Sequence, residues 1–280
     1  MKVLLISDTH CRVELLKVAI EKERPEVVLH AGDFGFYGMS SIKFLPITEL
    51  KAKIDHSGVI SKSYHMVRKE MEKAILSYDL MTDFENYLNK RKVFAVPVYA
   101  IWGNHDDVKV AKKAEKTIPN FNLVFSSLLS LKEDVCLCGI PGGIVLDNLF
   151  WKSDKKVEGK YGNPLTTWSY IKDLIKNAEK VPRKKLVLLT HFDSYETPLL
   201  RLVAWKLQAM YVVSGHLHRA EAVVRLDTSD EYNRMMQIYE TIKKICPVDE
   251  VGVLKPMQTE NVICHINIPS AEKGYCCIEI

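Results

Sequence analysis

Five short polar islands, each at the end of an apolar, β-branched run, constrain this chain more than any other feature. They are Asp8-Thr9-His10, Gly32-Asp33, Gly103-Asn104-His105-Asp106, Thr190-His191 and Gly215-His216-Leu217-His218. The runs before them, among them Val3 to Ile6, Leu186 to Leu189 and Tyr211 to Ser214, have the length and composition of buried strands. Each island therefore marks a place where a strand passes into a loop. In an α/β fold the carboxyl ends of strands are where ligands collect. A chain that reaches such an end five times with Asp, Asn or His has the means to gather those side chains in one place.

The rest of the pattern supports an α/β architecture. Lys2 to Ser7 reads as a strand, Val13, Leu16 and Ile20 as one face of a helix ending before Pro25, and Val27 to His30 as a second strand. This is a βαβ unit, so the first two strands are expected to be parallel. Further strands are predicted over 93–102, interrupted at Pro97, and over 135–140, 186–189, 211–214 and 221–226. Helices are expected after a Thr166 or Thr167 cap, after Thr197-Pro198, where Pro suits the first helical position, and after Thr228 and Glu231, which have capping-box spacing. Val262, Cys264 and Ile266 alternate, and with Tyr275 to Ile280 they predict antiparallel strands that close a sheet. Two stretches stand apart. Residues 39–92 read as a helical insertion with a packing stripe of Val67, Met71, Ala74, Tyr78, Met81, Phe84 and Leu88, placed to arch over the strand ends or to contact another subunit. Residues 147–164 have no clear period and read as a long loop bordering the site. The expectation is a single domain over 1–280 carrying that insertion.

Composition narrows the partners. With 280 residues, 47% apolar and 26% charged, the chain is ordinary globular material. A formal charge of +4 is too small and dispersed to announce nucleic acid; Lys90-Arg91-Lys92 and Arg183-Lys184-Lys185 read as solvated ends of helices or lead-ins to strands. No apolar run has the length of a membrane span, and Asp8 interrupts the first apolar stretch too early for a leader peptide. Seven cysteines form an odd set without zinc-site spacing. They read as reduced packing residues of a cytoplasmic protein, with Cys11, beside His10, the one nearest the islands.

The islands carry the chemistry. Asp8 and His10 are two apart, so an extended segment would put both on one face, able to grip an ion; a helix cap beside a surface histidine explains the pair equally well. Asp33 alone is equally a turn residue. Asn104 is harder to explain that way, because a carboxamide ligates through oxygen without cancelling charge. His216 and His218 repeat the one-face spacing. Five of the nine histidines fall in the islands, which makes coincidence a poor account. If two divalent ions are held, Asp8 and Asp33 remove two of their four positive charges and a bridging hydroxide one more. A net positive site for a phosphate remains.

Asp-x-His, Gly-Asp, Gly-Asn-His-Asp, an isolated His and Gly-His-x-His, in this order over residues 8–218, resemble the calcineurin-like metallophosphoesterase superfamily. The resemblance implies a four-layer α/β/β/α sandwich of two mixed β-sheets flanked by helices. It implies that Asp8, His10 and His218 hold one ion, that Asn104, His191 and His216 hold the other, and that Asp33 bridges. It further implies attack on phosphorus by a hydroxide shared between the ions. His105 matches the family's non-ligand histidine near the leaving oxygen, with Asp106 expected to orient its ring. Arg12 and Arg219 flank the islands and are candidate contacts to a phosphate oxygen, or surface arginines with their own carboxylates. The mixed N/O ligand set suits two divalent transition-metal ions, Mn²⁺ first, with Fe²⁺, Zn²⁺ or Ni²⁺ as alternatives.

The expected activity is hydrolysis of a phosphate monoester or diester, on a small molecule or nucleotide. Gly32-Asp33 continues as Phe34-Gly35-Phe36-Tyr37 and lacks the Asp-Arg-Gly of the Ser/Thr protein phosphatases, which disfavours that role. One alternative is a nuclease resembling the DNA-repair exonucleases of the superfamily, against which stand the small net charge and the short chain. Another is a non-catalytic scaffold for a protein partner, against which stands the complete ligand set.

Overall fold

The structure, a computed structural model of the chain, describes residues 1–10, 12–36, 69–70, 95–125, 127–144, 146, 150–151, 157–158, 164–180, 185–246, 249–258 and 260–280. The helical insertion expected over 39–92 therefore lies, but for two residues, outside the described residues, as do Cys11 and most of 147–164.

Two mixed sheets form the centre. In the first, β1 (Lys2–Ile6), β2 (Val27–His30), β3 (Val98–Ala100) and β4 (Phe121–Leu123) are mutually parallel, and β13 (Cys276–Glu279) lies antiparallel against β1, giving the order β13-β1-β2-β3-β4. In the second, β6 (Val135–Ile140), β9 (Lys185–Thr190), β10 (Tyr211–Ser214) and β12 (Ile263–Asn267) run parallel. At its edges β5 (Leu129–Lys132) and β11 (Val223–Asp227) are antiparallel to their neighbours, and the order is β11-β12-β10-β9-β6-β5. The last two strands of the chain thus join two different sheets, not one.

The alternation of side chains along these strands builds the layers. Val3 and Leu5 of β1, Val135 and Leu137 of β6, Val187 and Leu189 of β9, and Val213 of β10 share one core between the sheets. The intervening residues face outward. Leu4 and Ile6 pack with Leu16 and Ile20 of α1 (Val13–Glu23) and Ala111 and Ala114 of α2 (Val108–Thr117). On the far side Cys136, Cys138, Leu186, Leu188 and Val212 pack against α3 (Trp168–Glu179), α4 (Pro198–Leu207) and α5 (Tyr232–Ile245). The result is the expected α/β/β/α sandwich. Strands buried on both faces are apolar at every position, which is why the runs before the islands are continuous. The six described cysteines form no disulfide with one another, and burial pushes the thiol of Cys276 up to about 12.

Local expectations differ from the structure in four places. The strand predicted over 93–102 is short, Val98–Ala100, because Pro97 cannot donate to the ladder; its carbonyl accepts Val28 N at 2.9 Å. The capping box at Thr228 and Glu231 does not form. Glu231 instead takes Arg201 Nη2 at 2.9 Å, a charge-assisted bond that outcompetes a cap, and the chain enters α5 through a 3₁₀ turn over Ser229–Glu231. Thr167 stands at the N-cap of α3 without a side-chain bond, since the neighbouring Thr166 hydroxyl donates to the Pro141 carbonyl. Within 147–164, Phe150 and Trp151 are core residues against Trp168, and β7 (Val157–Glu158) pairs with β8 (Pro164–Leu165).

Candidate metal centre

Five strand exits, after β1, β2, β3, β9 and β10, converge. Loop-to-loop bonds set their spacing: Asp8 N donates to Gly32 O and His10 N to Asp33 O, both at 3.0 Å, and Gly215 N donates to His191 O at 3.0 Å. Gly103 lies so close to the backbone and carboxylate of Asp33 that a β-carbon there has no room. Gly215 likewise abuts Ser7, with Asp8 Oδ2 only 2.7 Å from where a β-carbon would stand.

The side chains do not converge by extended alternation as the spacing of Asp8 and His10 predicts. Asp8, His10, Asp33, His216 and His218 all have positive φ, between 44° and 71°. Left-handed backbone is uncommon outside glycine, and clusters of it occur where surrounding structure holds a site together. Here it turns successive side chains inward at the strand ends.

Two groups result. Carboxylate and imidazole atoms of Asp8, His10 and His218 lie within 4.8 Å of one another, as do those of Asp8, Asp33 and His191. His10 Nε2 and His218 Nε2 are 3.3 Å apart, with Asp8 Oδ1 3.2 Å from the latter. Asn104 Oδ1 is 2.8 Å from His191 Nε2, which also lies 3.3 Å from Asp33 Oδ2. The His216 ring stands 5.0 Å from that of His191 and stacks on Phe192 at 4.1 Å. All seven candidate ligands are thus brought together. In this geometry Asp8 is the carboxylate common to both groups, while Asp33 sits in the second.

The donor set fits divalent ions. Asp8 Oδ1 and Asp33 Oδ2 are buried and accept no well-formed hydrogen bond, their neighbours being His218 Nε2 at 3.2 Å and His191 Nε2 at 3.3 Å, a condition that a cation among these imidazoles relieves. Their other oxygens are used for support: Asp8 Oδ2 accepts from Ser7 Oγ at 2.6 Å and His216 N at 3.0 Å, and Asp33 Oδ1 accepts His105 N at 2.8 Å. His191 Nδ1 donates to the Ala31 carbonyl at 2.8 Å, which aims Nε2 at the cluster. Burial opposes charge on Asp8, but His218 and His191 outweigh it and hold its carboxyl down at about 2. Burial, with the charge of His191, lowers His216 to about 4, so that its ring is neutral and able to ligate.

Burial also opposes charge on the His191 ring, yet Asp33 and Asp8 prevail and raise it to about 9. Ligation needs Nε2 without its proton. If His191 ligates, protons below about pH 9 would compete with the ion, and Mn²⁺ affinity is expected to rise with pH by up to about tenfold per unit. Calorimetric titrations between about pH 6.5 and about pH 8.5 check this. An affinity flat across that range contradicts it.

Asp106 has a duty in the backbone beyond the expected one. It is fully buried, and its two oxygens accept four backbone N–H groups, from Phe34 at 3.1 Å, Gly35 and Phe36 at 2.8 Å and Gly103 at 2.9 Å. It clamps the Asp33 loop to the Asn104 loop through these backbone donors. Burial and the Asp33 charge push its carboxyl up to about 6 against those four donors. The His105 ring stands edge-on to His10, centroids 5.8 Å apart.

The arginines are paired. Arg12 bonds Glu272 at 2.5 Å and Glu14 at 3.3 Å, and Arg219 lies 3.7 Å from Glu196, so each has the carboxylate partner that is the alternative to phosphate contact. Several supports escape sequence reasoning. His30, lowered to about 3 by burial, donates Nε2–H to Thr9 Oγ1 at 3.0 Å, and Thr9 donates to Phe34 O, tying two islands together. Asn267 Nδ2 donates to Gly215 O at 2.8 Å and Lys273 Nζ to His218 O at 2.6 Å. Their partners lie far away in sequence, and no local pattern marks them.

The sandwich and the Asp/His cluster define a metal-dependent phosphoesterase class. The family model described as calcineurin-like phosphoesterase matches residues 1–220, which include every candidate ligand. The chain belongs to that family. Among solved structures, one is 14% identical with a TM-score of 0.55, over 99% of this chain and 94% of that one, and shares the fold. TT1561 of Thermus thermophilus is 9% identical with a TM-score of 0.48, covering 99% of this chain and 98% of its own. No curated protein matches the sequence.

Proposed function

We propose that the chain hydrolyses small phosphate monoesters or diesters, nucleotides among them, in the cytoplasm, using two divalent transition-metal ions, Mn²⁺ first. The observation that carries this reading is the pair of buried, unsatisfied carboxylate oxygens, Asp8 Oδ1 and Asp33 Oδ2, facing four imidazoles and a carboxamide oxygen. Asp8, His10 and His218 would hold one ion and Asn104, His191 and His216 the other, with Asp33 in the second group and Asp8 common to both. Such ions, when bound, polarise phosphoryl oxygens and supply a nucleophile from water near neutral pH.

The chain's own residues do the rest. His105 is half-buried beside His10 and donates a proton to the leaving oxygen. Asp106 keeps the Asn104 and Asp33 loops in register. Arg12 and Arg219, each about a third exposed and beside Glu272 and Glu196, assist phosphate binding with their remaining N–H donors. A parallel screen of phosphomonoesters, phosphodiesters, cyclic nucleotides and DNA with Mn²⁺ tests the reading. Hydrolysis of small esters is expected. Cleavage of DNA alone, with binding that collapses as salt is added, marks the nuclease instead.

A further inference from the structure

Past the end of the family match at residue 220, Asp227 and His265 build a buried polar network with Ser194 and Arg201. Fully buried Asp227 accepts Arg201 Nε and Trp205 Nε1, each at 2.8 Å, a second bond from the same guanidinium, and His265 Nε2 at 3.1 Å. His265 Nδ1 lies 2.8 Å from Ser194 Oγ. A carboxylate only accepts, so His265 donates Nε2–H to Asp227, while its Nδ1 is hydrogen-bonded to the serine hydroxyl. Serine, imidazole and carboxylate in line have the order of a nucleophilic triad. Ser194, however, is 0% exposed, so no acyl or phosphoryl group reaches its oxygen. The network holds; it does not react.

What it holds is the loop that follows β9 and carries His191. Ser194 is the third residue after His191. Asp193 Oδ1 accepts Tyr195 N at 2.8 Å and Glu196 N at 3.2 Å, which folds the loop into a tight turn. The guanidinium groups of Arg201 and Arg225 lie against the Tyr195 ring, at 4.1 Å and 4.7 Å, and Arg225 also binds Glu196 at 2.6 Å. On the side towards the candidate metal centre, Phe192 stacks on His216.

We propose that the Ser194–His265–Asp227–Arg201 network is a positioning device for one half of the metal centre, setting the place of His191 Nε2 and, through Phe192, of the His216 ring. This rests on the reading of those histidines as ligands. The half formed by Asp8, His10 and His218 has different supports, Ser7 at Asp8 and Lys273 at the His218 carbonyl. Asp8 is shared by both groups, so the device acts chiefly, not exclusively, on the ion of His191 and His216.

Calorimetric titration of the full chain with Mn²⁺ tests this, alongside the melting temperature in chelator. Wild type takes up two ions. In Ser194→Ala one of the two is expected to bind about tenfold more weakly, as for lost outer supports of a ligand, while the other is affected less. The melting temperature falls by only a few degrees. Arg225→Gln, at a half-buried position outside the network, loosens Tyr195 and Glu196 without opening the core and is expected to weaken the same ion to a smaller degree. Unchanged affinities in both variants overturn the proposal. So does parallel weakening of both ions in step with the melting temperature, which makes the network structural alone. A wild-type chain that binds no Mn²⁺ overturns the metal reading itself, and the proposal with it.

Discussion

His105→Ala is expected to keep both metal ions and to lose turnover by about 10²–10⁴-fold, the usual contribution of a positioned general acid. The separation of these effects follows from which atoms do what. It is the backbone N–H of His105, not its ring, that donates to Asp33 Oδ1, so truncation at Cβ leaves that bond in place. The ring stands edge-on to His10. Loss is therefore expected in kcat, with Mn²⁺ affinity unchanged. It is expected to depend on the leaving group: an aryl ester, whose oxygen departs without a proton, is partly spared, and an alkyl ester is not. Measuring kcat for both esters beside an Mn²⁺ isotherm separates the outcomes. Equal turnover in wild type and variant removes His105 from the chemistry, and lost Mn²⁺ binding reassigns it to the metal centre.

Asp227→Ala is expected to cause the largest loss of stability among single changes in the polar interior. Removal of the carboxylate leaves Arg201, 2% exposed, with Glu231 as its remaining anion, and deprives Trp205 Nε1 and His265 Nε2 of their acceptor. Breaking a buried pair in this way costs about 3–5 kcal/mol, a fall in melting temperature of about 6–20 °C for a chain of this size. The same group predicts acid sensitivity. Burial raises its carboxyl, but His265, Arg201 and Trp205 hold it well below the usual range. A carboxyl depressed on folding stabilises the protein above its unfolded value of about 4, and that stabilisation is lost as pH falls below it. Melting curves of wild type and variant should therefore differ most near neutrality and converge in acid. A difference that is small and independent of pH contradicts this account.

The sandwich is legible in the sequence because its strands are buried on both faces and so appear as unbroken apolar runs, each ending in an island. The ligands are legible as residue types at those ends. Their convergence is not, because period-two alternation presumes extended backbone, whereas Asp8, His10, Asp33, His216 and His218 turn inward through left-handed conformations that no glycine marks. The role of Asp106 is hidden for a related reason. Its neighbour in sequence is His105, but its oxygens answer to the N–H groups of Phe34, Gly35 and Phe36, some seventy positions away. The capping spacing of Thr228 and Glu231 misleads in the same way, since a buried arginine from α4 claims the glutamate. Local patterns carry the elements. Long-range hydrogen bonds decide which side chains act and which only hold.

Titration of metal-stripped protein with Mn²⁺, following hydrolysis of a panel of phosphate monoesters and diesters at each addition, tests the central claim most directly. Turnover of at least one ester is expected to appear with Mn²⁺, to level off at two ions per chain and to vanish on chelation. Two ions bound with no ester hydrolysed, or hydrolysis indifferent to chelator, contradicts it.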